Sequence, residues 1–307
     1  MRYCQTLWLL AFVMPAALAS DAGWALFDRV QQSVRQQNFD TSFVVVKSGQ
    51  VDTYRWQHGR DEQDEIEHLI PLDAEGVDIL RRNNVVYYLL SDRPALVTQS
   101  ANIKELPAVL FEDSQRIRQL YDAVPGSSSM MSGRSAQLLR LSANNADRFH
   151  YWLWVDEQTG FPLRIDTLTE QQTALERWVV THMQLTPEFP EGLRRLLDIE
   201  LPSPQPAASL ELAAASNYQL TWLPQDYQLV PEPAEIPQLQ PALINYWLLS
   251  DGLHQVSVFV QRNHSMPTQA YRDGATTIYV QSDAQREVTV IGPISIDTAQ
   301  RLAASVR

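Results

Sequence analysis

The feature that most restricts the fold of this chain is the stretch 148–165, where an aromatic and β-branched run is followed by a turn and a second apolar run. Asp156 and Gly160 supply the residues of the turn. Pro162 lies near the start of the return strand, where a missing backbone N–H is tolerated. The stretch therefore predicts a β-hairpin, and with it an antiparallel sheet.

The first arm of this hairpin is apolar on both faces. Tyr151, Leu153 and Val155 alternate with Trp152 and Trp154, so neither face of the strand is polar. Antiparallel sheets usually keep one face in water. Helices can cover one face of such a sheet, and the other needs either an ordinary core or an apolar ligand such as an acyl chain.

Length and composition limit the classes of protein that fit. The chain has 307 residues, 45% hydrophobic and 20% charged, which is typical of one large or two medium globular domains. The formal net charge of −12 argues against a nucleic-acid partner, because phosphate binding needs a basic surface.

The N-terminus has the pattern of a secretory signal peptide. Arg2 precedes an apolar run over residues 7–13, and Ala17-Leu18-Ala19 has the form of a cleavage site. We predict a signal peptide over residues 1–19 and a mature protein that is soluble outside the cytoplasm. Cleavage would remove Cys4, the chain's single cysteine, so that the mature protein has neither a disulfide nor a thiolate metal site.

The remaining chain divides into two predicted domains. Residues 20–201 contain most of the strand patterns, after a helix predicted over residues 22–37. A proline-rich linker follows over residues 202–216, and residues 217–307 form a small α+β domain. Three further local predictions are an exposed charged segment over 60–68, a serine-rich loop over 125–133, and a final helix capped by Asp297.

No motif in the sequence predicts catalysis. The six histidines are scattered, and none lies four residues from another on a predicted helix. Glu65, Glu67 and His68 could form an acid–base cluster, but a solvated charged face explains them more simply. The serine-rich loop has no neighbouring base. The sequence therefore predicts neither an enzyme nor a cofactor.

Several stretches, in the same order along the chain, resemble the MucB/RseB family of periplasmic sigma-factor regulators. The hairpin, from Asp147-Arg148 through Thr159-Gly160-Phe161-Pro162-Leu163-Arg164, resembles a stretch of that family, and the ordered set of matches makes the resemblance specific. In Trp222-Leu223-Pro224-Gln225-Asp226-Tyr227, Asp226 stands where the family usually has glycine. The later matches are Leu249-Ser250-Asp251-Gly252-Leu253, Val288-Thr289-Val290-Ile291-Gly292 and Thr298-Ala299-Gln300-Arg301-Leu302-Ala303.

The resemblance implies a fold and a function. The large domain should be a half-open antiparallel β-barrel of the LolA/LolB type with plugging helices, followed by a small C-terminal α+β domain. The protein should act in the periplasm as a negative regulator of an envelope-stress sigma factor. It should bind the periplasmic segment of a RseA/MucA-type anti-sigma factor, shield it from proteolysis, and release it on a lipid or lipopolysaccharide signal. A homo-oligomer is compatible with this expectation.

Two sets of binding residues follow as predictions. The doubly apolar strands suggest Tyr87, Leu89, Trp152 and Trp154 as lining a lipid cavity, although the sequence does not decide which strand face lines it. Aromatic residues are enriched at the centres of interfaces, so Tyr246 and Trp247 are the predicted anti-sigma contacts. The alternative function is a periplasmic lipid or lipoprotein carrier, which would not need the second domain.

Overall fold

The computed structural model describes residues 16–73, 77–90, 94–203, 217–230, 243–262 and 267–307. Most of the predicted signal peptide therefore lies outside the described residues, as does the predicted linker from residue 204 to 216. Within the described ranges, no helix combines the length and apolarity that crossing a bilayer requires.

The larger of two sheets contains eleven antiparallel strands, in the order β6-β5-β4-β3-β2-β1-β11-β10-β9-β8-β7. The edge strands β6 and β7 do not pair with each other, so the sheet is not closed. Its strands are β1 (Asn38–Lys47), β2 (Gln50–Arg60), β3 (Glu65–Pro71), β4 (Asp78–Arg82), β5 (Val85–Leu89), β6 (Leu96–Gln99), β7 (Tyr121–Met131), β8 (Arg134–Ala143), β9 (His150–Asp156), β10 (Pro162–Leu168) and β11 (Ala174–Thr186).

The large sheet curls toward one face, which we call the inner face. The hydroxyl of Ser132, in the turn between β7 and β8, donates a hydrogen bond to the carbonyl of Val180 on β11, two strands beyond β9. The helices α1 (Ala16–Gln36) and α2 (Ser114–Leu120) fill the inner side, together with a 3-10 turn over Ala108–Leu110. This arrangement confirms the predicted half-open barrel with helices inside it.

The core of the large domain lies between α1 and the inner face. Phe27, Val30 and Val34 on one side of α1 are fully buried, at the helical spacing that the sequence predicts. They pack against large inner-face side chains such as Phe39 and Trp56. A third helix, α3 (Glu191–Leu197), lies on the opposite, outer face of the sheet, against β2 and β3.

The second sheet has six antiparallel strands, in the order β12-β13-β14-β17-β16-β15. Leu302 and Ala299 of the terminal helix α4 (Ile296–Ala304) are fully buried against one face of this sheet. The strands are β12 (Gln228–Leu229), β13 (Leu243–Ser250), β14 (Gln255–Arg262), β15 (Gln269–Asp273), β16 (Thr276–Ser282) and β17 (Arg286–Gly292).

Three local predictions were wrong. Residues 65–68 of the charged segment 60–68 form the start of strand β3, where Glu67 turns inward and pairs with Arg81 on β4, whereas residues 60–63 are exposed. The serine-rich segment is the end of β7, held by pairing with β8 rather than by its own composition. Ser295, not Asp297, caps the last helix, since its side chain accepts a hydrogen bond from the backbone N–H of Thr298.

Candidate binding site

The four predicted lipid-lining residues all lie on the outer face of the large sheet. Tyr87, only 8% exposed, and Leu89 pack with Leu193 of α3. Trp152 and Trp154 are half-buried and form an edge-to-face pair with ring centroids 6.3 Å apart. The structure thus places these residues on the face opposite the helix-filled inner side, and their contact with a lipid stays a prediction.

The inner face is lined by the alternate residues of the same strands. Tyr151, Leu153 and Val155 of β9 are buried in the main core, and so is Val86 of β5. The side chains of α1, the 3-10 turn and α2 fill this space. The two apolar faces noted in the hairpin are thus explained separately: one is core, and the other is the outer surface that carries the tryptophan pair.

The predicted anti-sigma contacts, Tyr246 and Trp247, point to opposite faces of the small sheet. Tyr246 is 7% exposed, and its ring lies 4.9 Å from that of Phe259. Trp247 packs against the core between the sheet and α4. Neither residue is widely exposed, so their role in binding a partner stays a prediction.

The most elaborate polar site in the described chain lies where the two sheets meet. Arg148, just before β9, donates through Nε to the carboxylate of Asp251 at 2.7 Å, and both side chains are fully buried. Nη2 of Arg148 donates to the carbonyl of Gln225 at 2.8 Å. Burial alone would raise the pKa of Asp251, but interactions with His254 and Arg148 outweigh it and hold this pKa well below its usual range.

The turn that carries Asp251 inserts into the large domain. Leu253 is 6% exposed and belongs to the core of the large domain, although it lies between strands of the small sheet. Nε2 of His254 lies 2.6 Å from the hydroxyl of Tyr151 on β9. Gly252 has a φ of +88°, and a Cβ there would meet Cγ of Arg116 at 2.9 Å. The turn therefore needs glycine at this position.

The geometry also explains why aspartate is accepted at position 226. Asp226 has a φ of +65°, a backbone conformation that favours glycine but that aspartate tolerates better than most residues. Its carboxylate lies 3.2 Å from Nη2 of Arg148, and its carbonyl accepts a hydrogen bond from Arg116. The substitution thus adds a second carboxylate to the junction.

Sequence reasoning did not identify this junction as a site. The signal was present, because Asp147-Arg148, Gln225-Asp226 and Ser250-Asp251-Gly252-Leu253 are all stretches on which the family resemblance rests. The structure brings the three together. It adds Thr298 of α4, whose hydroxyl donates to the carboxylate of Asp147 at 2.9 Å.

A second buried polar cluster lies on the inner face near β3. His58, Glu65 and Glu67 each have one potential metal-ligand atom, and these three atoms lie within 4.8 Å of one another, close enough to hold a metal ion. Arg81 already supplies the positive charge, since it donates to Glu65 at 2.6 Å and to Glu67 at 3.0 Å. Although burial opposes it, contacts with His58 and Arg81 lower the pKa of Glu65 to about 2. The cluster is thus a buried ion network, and the predicted solvated charged face was wrong.

The comparisons with known proteins cover both halves of the chain. The MucB/RseB N-terminal domain matches residues 23–204, and the MucB/RseB C-terminal domain matches residues 212–307. The sigma-E factor regulatory protein RseB of Haemophilus influenzae is 28% identical, over 91% of this chain and 89% of its own length. The sigma factor AlgU regulatory protein MucB of Pseudomonas aeruginosa is 27% identical, over 100% of this chain and 98% of its own length.

A solved structure extends the likeness to the fold. In the complex of Pseudomonas aeruginosa MucA and MucB, the matched chain superposes with a TM-score of 0.69 at 22% identity. The match covers 93% of this chain and 98% of that chain. Because both family domains match in order and together span nearly all of the described residues, the chain belongs to the MucB/RseB family.

Proposed function

We propose that this protein is a non-enzymatic negative regulator that binds the periplasmic segment of a membrane-bound anti-sigma factor. The observation that carries the proposal is the match of both MucB/RseB domains, one directly after the other. The curated relatives are regulators of sigma factors, and Pseudomonas aeruginosa MucB has been crystallised with the periplasmic part of MucA.

The described site chemistry supports binding rather than catalysis. The two buried ionic clusters, around Arg148 and around Arg81, pair their carboxylates with guanidinium groups inside the protein. Such pairs fix the relative positions of strands and domains. In this proposal the protein covers the anti-sigma segment and so denies a protease access to it.

The direct test is a calorimetric titration of the mature protein with the periplasmic segment of its cognate anti-sigma factor. We expect a 1:1 or 2:2 complex with a dissociation constant of about 1 μM or lower. In parallel, the bound segment should resist proteolysis, while an unrelated peptide that does not bind the protein is cleaved equally with and without it. Absence of binding would refute the proposed function.

The same proposal has three finer parts: action in the periplasm, release of the segment by lipid or lipopolysaccharide, and self-association of the protein. The predicted signal peptide supports export, and an acyl chain that competes with the segment for the outer-face tryptophan pair would account for release. Titrating the complex with lipopolysaccharide should weaken binding of the segment. Light scattering of the free and bound protein measures the oligomeric state.

A lipid or lipoprotein carrier remains the competing function. The filled inner side weighs against it, because the side chains of α1, α2 and the 3-10 turn occupy the place where a carried acyl chain would lie. Deleting the small domain is a poor test, since it would remove Leu253 from the core of the large domain and uncover the side chain of Arg148. Lipid co-purifying in stoichiometric amounts with the intact protein would instead favour the carrier.

A further inference from the structure

The outer face of the large sheet carries two parallel rows of side chains that cross six strands. The first row runs from β8 to β2 through cross-strand neighbours: Leu138, Trp154, Arg164, Val179, Val44 and Thr53. The second row lies beside it: Arg140, Trp152, Asp166, Arg177, Val46 and Val51. We call these twelve residues the outer band.

Seven of the twelve outer-band residues are apolar, and several of these seven remain open to solvent. Val51 is 58% exposed and Val46 is 37% exposed, while both tryptophans are half-buried. Of the described helices, α3 is the one that lies on this face, and it covers the far end of the sheet around Ile66 and Tyr87. Neighbouring exposed apolar side chains of this kind are typical of interaction sites.

Two of the three guanidinium groups of the outer band, those of Arg164 and Arg177, are held in fixed positions. Asp166, 2% exposed, accepts hydrogen bonds from Arg164 at 2.8 Å and from Arg177 at 3.0 Å. Arg164 also lies over the ring of Trp154, 4.2 Å from its centroid. A side chain already ordered in this way loses little conformational entropy when a partner binds.

The charge of the outer band is opposite to that of the whole protein. Its two rows contain three arginines, Arg140, Arg164 and Arg177, against the single carboxylate of Asp166, whereas the chain carries a formal net charge of −12. Arg140 is exposed beside Trp152. Tryptophan and arginine are the residues most enriched at the energetic centres of protein interfaces. Charge complementarity therefore favours an acidic occupant with apolar side chains.

The dimensions of the outer band fit an extended peptide. Six strands at a spacing of about 4.8 Å give a row roughly 24 Å long, which an extended chain of about seven residues spans. An anionic membrane fits less well, because electrostatic attachment to it uses clusters of about four to eight Lys or Arg residues, and the net charge of this protein opposes it.

We propose that the outer band binds an acidic, apolar segment of the anti-sigma partner in an extended conformation. The inference rests on the proposed function and specifies a surface for it. Carboxylates of the segment would pair with Arg140 and Arg177, and its apolar side chains would lie between the tryptophan pair and the valines at positions 44, 46 and 51.

The test compares single variants of the full mature protein in binding to the cognate anti-sigma periplasmic segment. Arg140→Glu and Val51→Glu each place a negative charge on an exposed position of the outer band, and Trp152→Ala removes an aromatic group. Arg195→Glu, at an exposed position of α3, makes the same charge change outside the band and is the matched control. Thermal unfolding confirms that each variant is folded.

We expect Arg140→Glu and Val51→Glu to weaken binding at least about tenfold, Trp152→Ala to weaken it similarly, and Arg195→Glu to change it less than about twofold. Wild-type affinity should fall as salt rises from about 0.05 M to about 0.5 M. If the wild type binds and the band variants bind equally well, the inference is overturned while the proposed function stands.

The remaining outcomes also decide the matter. Equal weakening by Arg195→Glu would show a general charge effect and overturn the inference. If the band variants no longer bind vesicles containing about 30% anionic phospholipid, whereas the wild type does, and all of them bind the segment equally, the band belongs to a membrane contact instead. A wild type that does not bind the segment would remove both the inference and the proposed function.

Discussion

Arg148 and Asp251 form an ion pair between the large and the small sheet, with Nε of the arginine 2.7 Å from the carboxylate and neither side chain exposed to solvent. The pair is surrounded by contacts that come from both sheets, including that of Tyr151 with His254. The junction is therefore as buried as a domain core, although a charge pair lies at its centre.

Removing one partner of this pair should destabilise the protein strongly. Arg148→Ala leaves the carboxylate of Asp251 buried without its guanidinium partner, which costs roughly 3–5 kcal/mol of the free energy of unfolding. Chemical denaturation measures the change. Arg55→Ala, which breaks the more exposed pair with Asp40, should cost less than about 1 kcal/mol. Similar losses in the two variants would contradict the structural role of the junction.

Shortening Leu253 should weaken the junction without touching a charge. Its side chain lies in the core of the large domain, so Leu253→Ala should cost roughly 2–5 kcal/mol of stability. The same change at Leu229, which is 49% exposed on β12, should have little effect. In Leu253→Ala, hydrogen exchange should become faster around β9 and β14. Exchange that becomes faster throughout the protein would contradict a local role of Leu253 at the junction.

Acid should destabilise the protein partly through Glu65. The folded pKa of Glu65 is about 2, below its unfolded value of about 4.5. The stability that ionised Glu65 contributes is therefore fully present above the unfolded pKa, and it is lost as the pH falls through the folded pKa. The difference corresponds to something on the order of 3 kcal/mol. Glu65→Gln should lower stability at pH 7 and flatten its dependence between about pH 5 and pH 2. Glu62→Gln, at an exposed neighbour, is the control and should leave the profile unchanged.

Metal ions should not stabilise the cluster of His58, Glu65 and Glu67. Arg81 donates to both carboxylates, and a divalent cation would have to displace it. The melting temperature should be the same with zinc, calcium or a chelator. In Arg81→Ala, which frees the carboxylates, added zinc should raise the melting temperature. Stabilisation of the wild type by zinc would show that Arg81 moves aside.

Tyr87 and Trp152 were predicted to share a role, yet the structure places them in different surroundings. Tyr87 is covered by α3, so Tyr87→Ala should cost about 3 kcal/mol of stability. Trp152 is half-buried on the open part of the same face, and Trp152→Ala should cost clearly less. Denaturant titration of both variants measures the difference. Equal costs would mean that the outer band is covered after all.

Much of the fold was predictable from local pattern. The hairpin of β9 and β10, the buried side of α1 and the final helix α4 follow from β-branched and aromatic runs, helical spacing and turn residues, which act within a few positions of the chain. The charged strand β3 was missed because its pattern is polar, and the serine-rich end of β7 because its residues prefer turns. Pairing with neighbouring strands overrode both preferences.

The sequence by itself determined that this chain forms an antiparallel sheet with two apolar faces and that it resembles the MucB/RseB family. Only the tertiary structure decided which face is core, because a period of two residues fixes alternation but not direction. It alone brought Arg148 and Asp251 together, since these residues are separated by 103 positions and no local pattern encodes such a contact. The same curling of the sheet turned Trp152 and Trp154 outward, where they form a surface rather than a cavity wall.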